Sequence, residues 1–183
     1  MHEVGGANSA LLAVLGTIAE RGAIGEASLE LAIAHADQYV AALPSDCQRL
    51  ADLGSGGGLP GLVIAMRRPL VRLVLVERRA TRADMLRRAV RALGVDERVE
   101  VLAADVAQVA AEEPGSFDVV TARSFAAPPI TAKWAGLLLR VGGMLIVSEP
   151  PVDDPSRWDP MLLAQHDLVD LGRLGGVRRF QRR

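Results

Sequence analysis

The sequence predicts an α/β fold: a doubly wound, mostly parallel sheet of seven strands with helices at its N-terminal side. Three observations carry that expectation. Short apolar runs alternate with helical segments from residue 49 onward. Three of those runs are apolar almost throughout, as strands covered by helices on both faces must be. A glycine-rich loop, Ala51-Asp-Leu-Gly-Ser-Gly-Gly-Gly-Leu-Pro-Gly61, joins the first strand to the helix after it.

The elements follow in order. Residues 8–20 and 26–42 are predicted as two helices. Asn8 or Ser9 can cap the first through a side-chain oxygen. In the second, Leu29, Ile33, Ala36 and Val40 recur at helical spacing, and Pro44 closes it. Strands are predicted at Arg49–Leu53, Val71–Glu77, Val99–Ala104, Phe117–Ala122 and Met144–Ser148. Between them lie helices at Pro60–Arg67, Thr81–Leu93, Val106–Glu112 and Pro129–Leu139. Helical crossovers between strands imply parallel pairing with right-handed connections. A helix at Arg157–Gln165 and short strands at Asp167–Leu171 and Val177–Gln181 complete the sheet with an antiparallel hairpin, for which Gly172, Gly175 and Gly176 suit the turn. Pro150, Pro151, Asp153, Asp154 and Pro155 crowd the one loop dense enough to be mobile. The whole is read as one domain, with a helical part at 1–44 and an α/β core at 45–183.

Composition narrows the function. A chain of 183 residues can bury a core of its own. Half of it is apolar, yet no run is long enough to span a bilayer. The N-terminus lacks a basic segment followed by an apolar core and a cleavage site, so a cytoplasmic location without membrane contact is expected. Cys47 is the only cysteine, which excludes an intrachain disulfide or a cysteine zinc cluster. His2, His35 and His166 show no metal-ligand spacing, and no metal is expected. Net charge is −1, against indiscriminate nucleic-acid binding. Arginine is nevertheless clustered between Arg67 and Arg91 and again between Arg173 and Arg183, while Lys133 is the only lysine. Phosphate contacts and plain solvated surface both fit that pattern. Nothing in the sequence sets the oligomeric state.

In an open α/β sheet ligands bind outside the carboxyl ends of the strands, so the residues ending each strand matter most. Asp52, Gly54, Gly56 and Gly58 alternate after the first strand, with Ser55 inside the loop. Without a Cβ the backbone can approach a nucleotide-like ligand, and amides opening the next helix offer donors. A dinucleotide fingerprint would need glycine where Leu59 stands. The alternating spacing instead resembles the loop of S-adenosylmethionine-dependent methyltransferases. Glu77 ends the second strand, placed to accept hydrogen bonds from two ribose hydroxyls or to pair with Arg78 or Arg79. Asp105, after the third strand, can meet an adenine edge, cap the following helix, or do both.

The fourth strand ends in Thr121-Ala-Arg-Ser-Phe125, without the Asn/Asp-Pro-Pro-aromatic run common in enzymes that methylate exocyclic amines. Cys47 precedes the first strand and is badly placed as a nucleophile, so it is read as inert. No base for activating a hydroxyl is evident, apart from His35. An acceptor that already carries a free lone pair, such as guanine N7, needs none. Orientation and local electrostatics then suffice.

Asp52-Leu-Gly-Ser-Gly-Gly-Gly-Leu-Pro-Gly61, Phe117-Asp-Val-Val-Thr-Ala-Arg-Ser-Phe-Ala126 and Val141-Gly-Gly-Met-Leu145 together resemble the bacterial small-subunit rRNA guanine-N7 methyltransferase family (RsmG, also called GidB). The resemblance runs over about residues 51–147 and implies a Rossmann-like class I methyltransferase fold. It implies S-adenosylmethionine as cofactor, lying against Gly54, Leu59, Val106, Ala107 and Arg123. It implies a guanine in the decoding-region loop of 16S rRNA as target, and Arg123 as the candidate catalytic residue, organising the cofactor carboxylate or a substrate phosphate. The chain departs from the family pattern at three places. A Trp-Asn and Asn-Leu-Thr signature is not found before Ala51. Ala104-Asp105-Val106-Ala107 replaces Gly-Arg-Ala-Glu, and Ser148-Glu149-Pro150 replaces a lysine-glycine pair. A methyltransferase of small metabolites and a non-catalytic S-adenosylmethionine-binding protein are the alternative expectations.

Overall fold

A computed structural model describes residues 3–24, 28–152 and 154–183; His2, Glu26 and Asp153, which the sequence reading used, lie outside the described residues. Seven strands form one sheet in the order β3-β2-β1-β4-β5-β7-β6. They are β1 (Arg49–Leu53), β2 (Arg72–Val76), β3 (Val99–Leu102), β4 (Phe117–Ala122), β5 (Leu139–Ser148), β6 (Leu168–Leu174) and β7 (Val177–Arg182). The first five pair in parallel, and β7 runs antiparallel to both β5 and β6. The chain winds outward from β1 to β3 and then returns to place β4 on the other side of β1. That reversal makes the β1–β4 boundary the switch point of the sheet.

Side chains alternate along each strand, so one strand serves two cores. In β1, Leu50 joins one cluster while Ala51 and Leu53 join the other; in β2, Leu73 and Leu75 oppose Val74 and Val76. The first face is covered by α1 (Glu3–Glu20), α2 (Leu29–Ala42), α3 (Gly61–Arg67) and α4 (Ala80–Ala92). The second is covered by α5 (Val106–Glu112), α6 (Pro128–Leu138) and α7 (Pro160–Ala164). Leu11, Leu15 and Ile18 of α1 and Ala36 and Tyr39 of α2 share their cluster with strand residues, so the N-terminal helices complete the core of the sheet.

Local chemistry sets the helix ends. Ser28 caps α2 by accepting from the Leu31 amide, and the helix stops at Leu43, one residue before Pro44. Asp105 caps α5 in a reciprocal box with Gln108. Three expectations need correction. Asn8 and Ser9 cap nothing, because α1 already runs from Glu3, and Asn8 instead accepts a hydrogen bond from Arg67 Nη1. The stretch expected as one helix at Arg157–Gln165 divides into a 3-10 turn at Pro155–Arg157 and α7, because Pro160 starts a helix readily but cannot continue one, and Asp159 caps it. β5 starts at Leu139 rather than Met144, since pairing with Phe117 extends it across a register shift.

Candidate functional site

Three adjoining cavities open along the carboxyl ends of β1, β2, β4 and β5, and Ser124 lines all three. The first, about 210 Å³, is walled by Gly54, Ser55, Gly56, Gly57, Leu59 and Arg123, with Ala23 and Ile24 from the chain after α1. The second, about 390 Å³, is bounded by Glu77, Arg78, Arg79, Arg82, Asp105 and Val106, together with Phe125 and Trp134. The third, about 290 Å³, lies beyond Phe125 and reaches Glu149 and Trp158.

The glycine loop owes its path to residues without a Cβ. Gly54, Gly56 and Gly58 all take positive φ, at 66°, 51° and 88°. A Cβ on Gly54 would stand 2.8 Å from Phe125 Cδ2, so the ring after β4 lies directly against the loop. A Cβ on Gly57 would come within 2.6 Å of the Ala23 carbonyl oxygen, so the tail of α1 closes over the loop. Ser55 ties it down on two sides: its amide donates to Val76 O at 3.0 Å, and its hydroxyl to Asp52 O at 2.9 Å.

Glu77 is 5% exposed at the end of β2. One oxygen accepts from the Gly56 amide at 3.1 Å and the other from the Arg79 amide at 2.8 Å. A carboxylate has about four lone-pair directions, so two remain for incoming hydroxyls. Among the described residues Glu77 forms no ion pair with Arg78 or Arg79, and Arg79 engages it through its backbone amide. Asp105 and Val106 form the wall across the cavity from it.

Not every residue singled out from the sequence reaches a cavity. Asp52 is 1% exposed and lies beneath the loop, where Oδ1 accepts from Thr121 Oγ1 at 2.7 Å and Oδ2 has no hydrogen-bond partner. Burial pushes its carboxyl up to about 6, against the opposing pull of Thr121. Asp52 therefore joins β1 to β4 as the floor of the site. Gly58 packs on Leu62 and Leu86. Ala107 spends its amide on the Asp105 cap at 2.9 Å. Amides at the start of α3 were expected to face the ligand; instead Leu62 N–H bonds Gly58 O and Ile64 N–H bonds Pro60 O, and the backbone lining the cavity is that of the loop itself.

Arg123 reaches the first cavity because β4 ends in a sharp bend. Ser124 takes a left-handed φ of 51°, sending Arg123 and Phe125 in different directions. Burial holds the Arg123 guanidinium below the usual arginine range. Tyr39 of α2 donates its hydroxyl to Ala122 O at 3.0 Å and anchors the strand just before the bend. Beyond it, Thr131 Oγ1 bonds the Ala126 and Ala127 carbonyls at 3.2 Å each. Sequence reasoning gave no role to Tyr39, Glu149 or Trp158, quoted Phe125 only within the run that ends β4, and placed Arg82 only in an arginine cluster that could contact phosphate. Cys47 is buried, and burial raises its thiol to about 11, as suits an inert side chain. His35 lines none of the three cavities. Among the described residues no His, Cys, Asp and Glu cluster can hold a metal ion, and no helix is long and apolar enough to cross a membrane.

Solved structures with the same architecture are methyltransferases. An O-methyltransferase family protein from Burkholderia thailandensis superposes with a TM-score of 0.67 at 18% identity, covering 83% of this chain and 56% of its own. The O-methyltransferase from Bacillus cereus in complex with SAH gives 0.62 at 18% identity, covering 95% and 91%. The fold is thus that of the class I methyltransferases.

Residues 30–149 match the GidB family, rRNA small subunit methyltransferase G. The ribosomal RNA small subunit methyltransferase G of Mycolicibacterium vanbaalenii is 38% identical over 132 residues, 70% of this chain and 58% of that protein. Its counterpart in Acidothermus cellulolyticus is 36% identical over 162 residues, covering 86% and 68%. The chain belongs to this family. It spans little more than half the length of the Mycolicibacterium vanbaalenii protein. The family match also reaches back to residue 30 in α2, beyond the resemblance at residues 51–147.

Proposed function

We propose that this chain is an S-adenosylmethionine-dependent methyltransferase acting on N7 of a guanine in 16S rRNA. The observation that carries the reading is the meeting of three strand ends, the glycine loop, Glu77 and Asp105, around adjoining cavities at the switch point. Their chemistry fits the cofactor. Glu77 holds the ribose hydroxyls, Asp105 and Val106 bound the adenine, and the glycine loop from Gly54 to Gly57 lies against the methionine end. Arg123 grips the cofactor carboxylate or a substrate phosphate with its planar fork.

The cofactor supplies an electrophilic methyl group on its sulfonium. Guanine N7 already presents its lone pair, so the protein's task is to hold the base in line and exclude water. Family membership and the arginines at the mouth favour an RNA acceptor in the cytoplasm.

Mass spectrometry of 16S rRNA from strains with and without the gene tests the acceptor, with loss of one 7-methylguanosine expected. Calorimetry tests the cofactor. S-adenosylmethionine and S-adenosylhomocysteine should bind, and Gly56→Val should abolish binding because its φ of 51° disfavours a branched side chain. Unchanged rRNA would remove the rRNA acceptor, and binding of NAD alone would remove the cofactor.

A further inference from the structure

We propose that Glu149 reads the acceptor base, its buried carboxylate taking the adjacent N1–H and N2–H donors of a guanine seated in the third cavity. The inference rests on the methyltransferase reading above and adds the group that selects its substrate.

Glu149 ends β5 and is 6% exposed, its side chain fully so buried that it contributes none of that surface. Oε1 accepts from Trp158 Nε1 at 2.8 Å, and Arg157 Nε lies 3.4 Å away, a long ion pair from a partly exposed side chain. Oε2 is buried with no hydrogen-bond partner. A buried carboxylate oxygen left unpaired is costly, and an incoming donor removes that cost. Trp158 holds one carboxylate oxygen and Glu149 lines the cavity, so the unused acceptor stands at its wall, covered until a base reaches it.

The donor pattern selects the base. Guanine presents N1–H beside N2–H, two donors that match the two oxygens of one carboxylate. Adenine and cytosine place a ring acceptor beside their amino group, and uracil flanks its N3–H with carbonyls; each sets a lone pair against the carboxylate. Position agrees with chemistry. Phe125 separates the second cavity from the third and offers its ring to a stacked base. The edge opposite N1 and N2 carries N7, and Ser124, common to all three cavities, joins this cavity to the other two.

The test measures affinity for guanine against inosine, which lacks only the N2 amine, with S-adenosylhomocysteine bound. One arm uses guanosine and inosine 5′-monophosphates. The other uses synthetic RNA hairpins copying the decoding-region loop of 16S rRNA, with guanine or inosine at each loop guanine in turn. Parent protein should prefer guanine at least tenfold in one arm, and that arm names the source of the base. Glu149→Gln should bring the ratio near one while S-adenosylhomocysteine affinity holds, which shows that the site still folds. Arg157→Ala removes the ion pair and part of the cavity wall and should keep the preference. Equal binding of guanine and inosine in both arms, no binding in either, or a preference that survives Glu149→Gln overturns the proposal. Preference confined to free nucleotides leaves the pocket standing and removes the rRNA acceptor.

Discussion

Asp52 lies beneath the first cavity and Arg123 lines it, and burial acts on the charge of each. The Asp52 carboxyl is pushed up to about 6 from its ordinary 3.8 by burial, so the folded state favours the protonated form. Its contribution to stability is complete below about pH 3.8, declines as pH rises toward about 6, and is flat beyond. Denaturant unfolding of the parent and Asp52→Asn across pH 4 to 8 should show a difference in slope confined to that window. The difference should amount to roughly 2–3 kcal/mol. Equal slopes would mean that Asp52 ionises as freely as an exposed acid. For Arg123, the fork geometry matters more than the charge. Arg123→Lys should reduce methyl transfer by about tenfold or more with the melting temperature unchanged. Transfer at the parent rate in the lysine variant would assign Arg123 a structural role.

Among the elements, α2 has the widest reach. From one helix, Tyr39 anchors the end of β4 and Gln38 accepts from the Gly176 amide at the β6–β7 turn. Removing the Tyr39 hydroxyl leaves the Ala122 carbonyl buried without that donor. Tyr39→Phe should therefore lower unfolding free energy by about 1–2 kcal/mol and weaken S-adenosylmethionine binding, because the Arg123 bend follows directly. Unfolding and calorimetry on the same variant separate the two effects. A loss of stability with cofactor affinity intact would confine Tyr39 to packing.

At the scale of the molecule, the arginine clusters divide. Near the C-terminus, Arg178 pairs with Asp170 at 3.0 Å and Arg182 bonds the Leu139 carbonyl. Both are committed within the fold. Arg78, Arg79 and Arg82 rim the second cavity, and none forms an ion pair among the described residues. Phosphate contact is thus expected at the rim. Arg78→Ala should weaken RNA binding and reduce the slope of log affinity against log salt by about 0.7–0.9, while Arg178→Ala should leave the slope unchanged. The opposite pattern would place the RNA on the hairpin. Because the same arginines line the second cavity, charge reversal there is expected to lower affinity for an anionic ligand in it as well.

The sequence by itself determined what local chemistry controls. Apolar runs set β1 and β4 to the residue, the alternating glycines marked the loop, and Asp105 signalled the start of α5. The strand-end rule then led to Glu77, because its place depends on the end of one strand. The tertiary structure decided which side chains meet across the fold. It put Asp52 under the loop with Thr121, laid Phe125 against Gly54, brought Tyr39 to Ala122 and turned Glu149 toward Trp158. Asp52 and Thr121 are 69 residues apart, and Tyr39 and Ala122 are 83. Where such partners meet follows from strand order and the packing of two cores, and no periodicity within one segment encodes either.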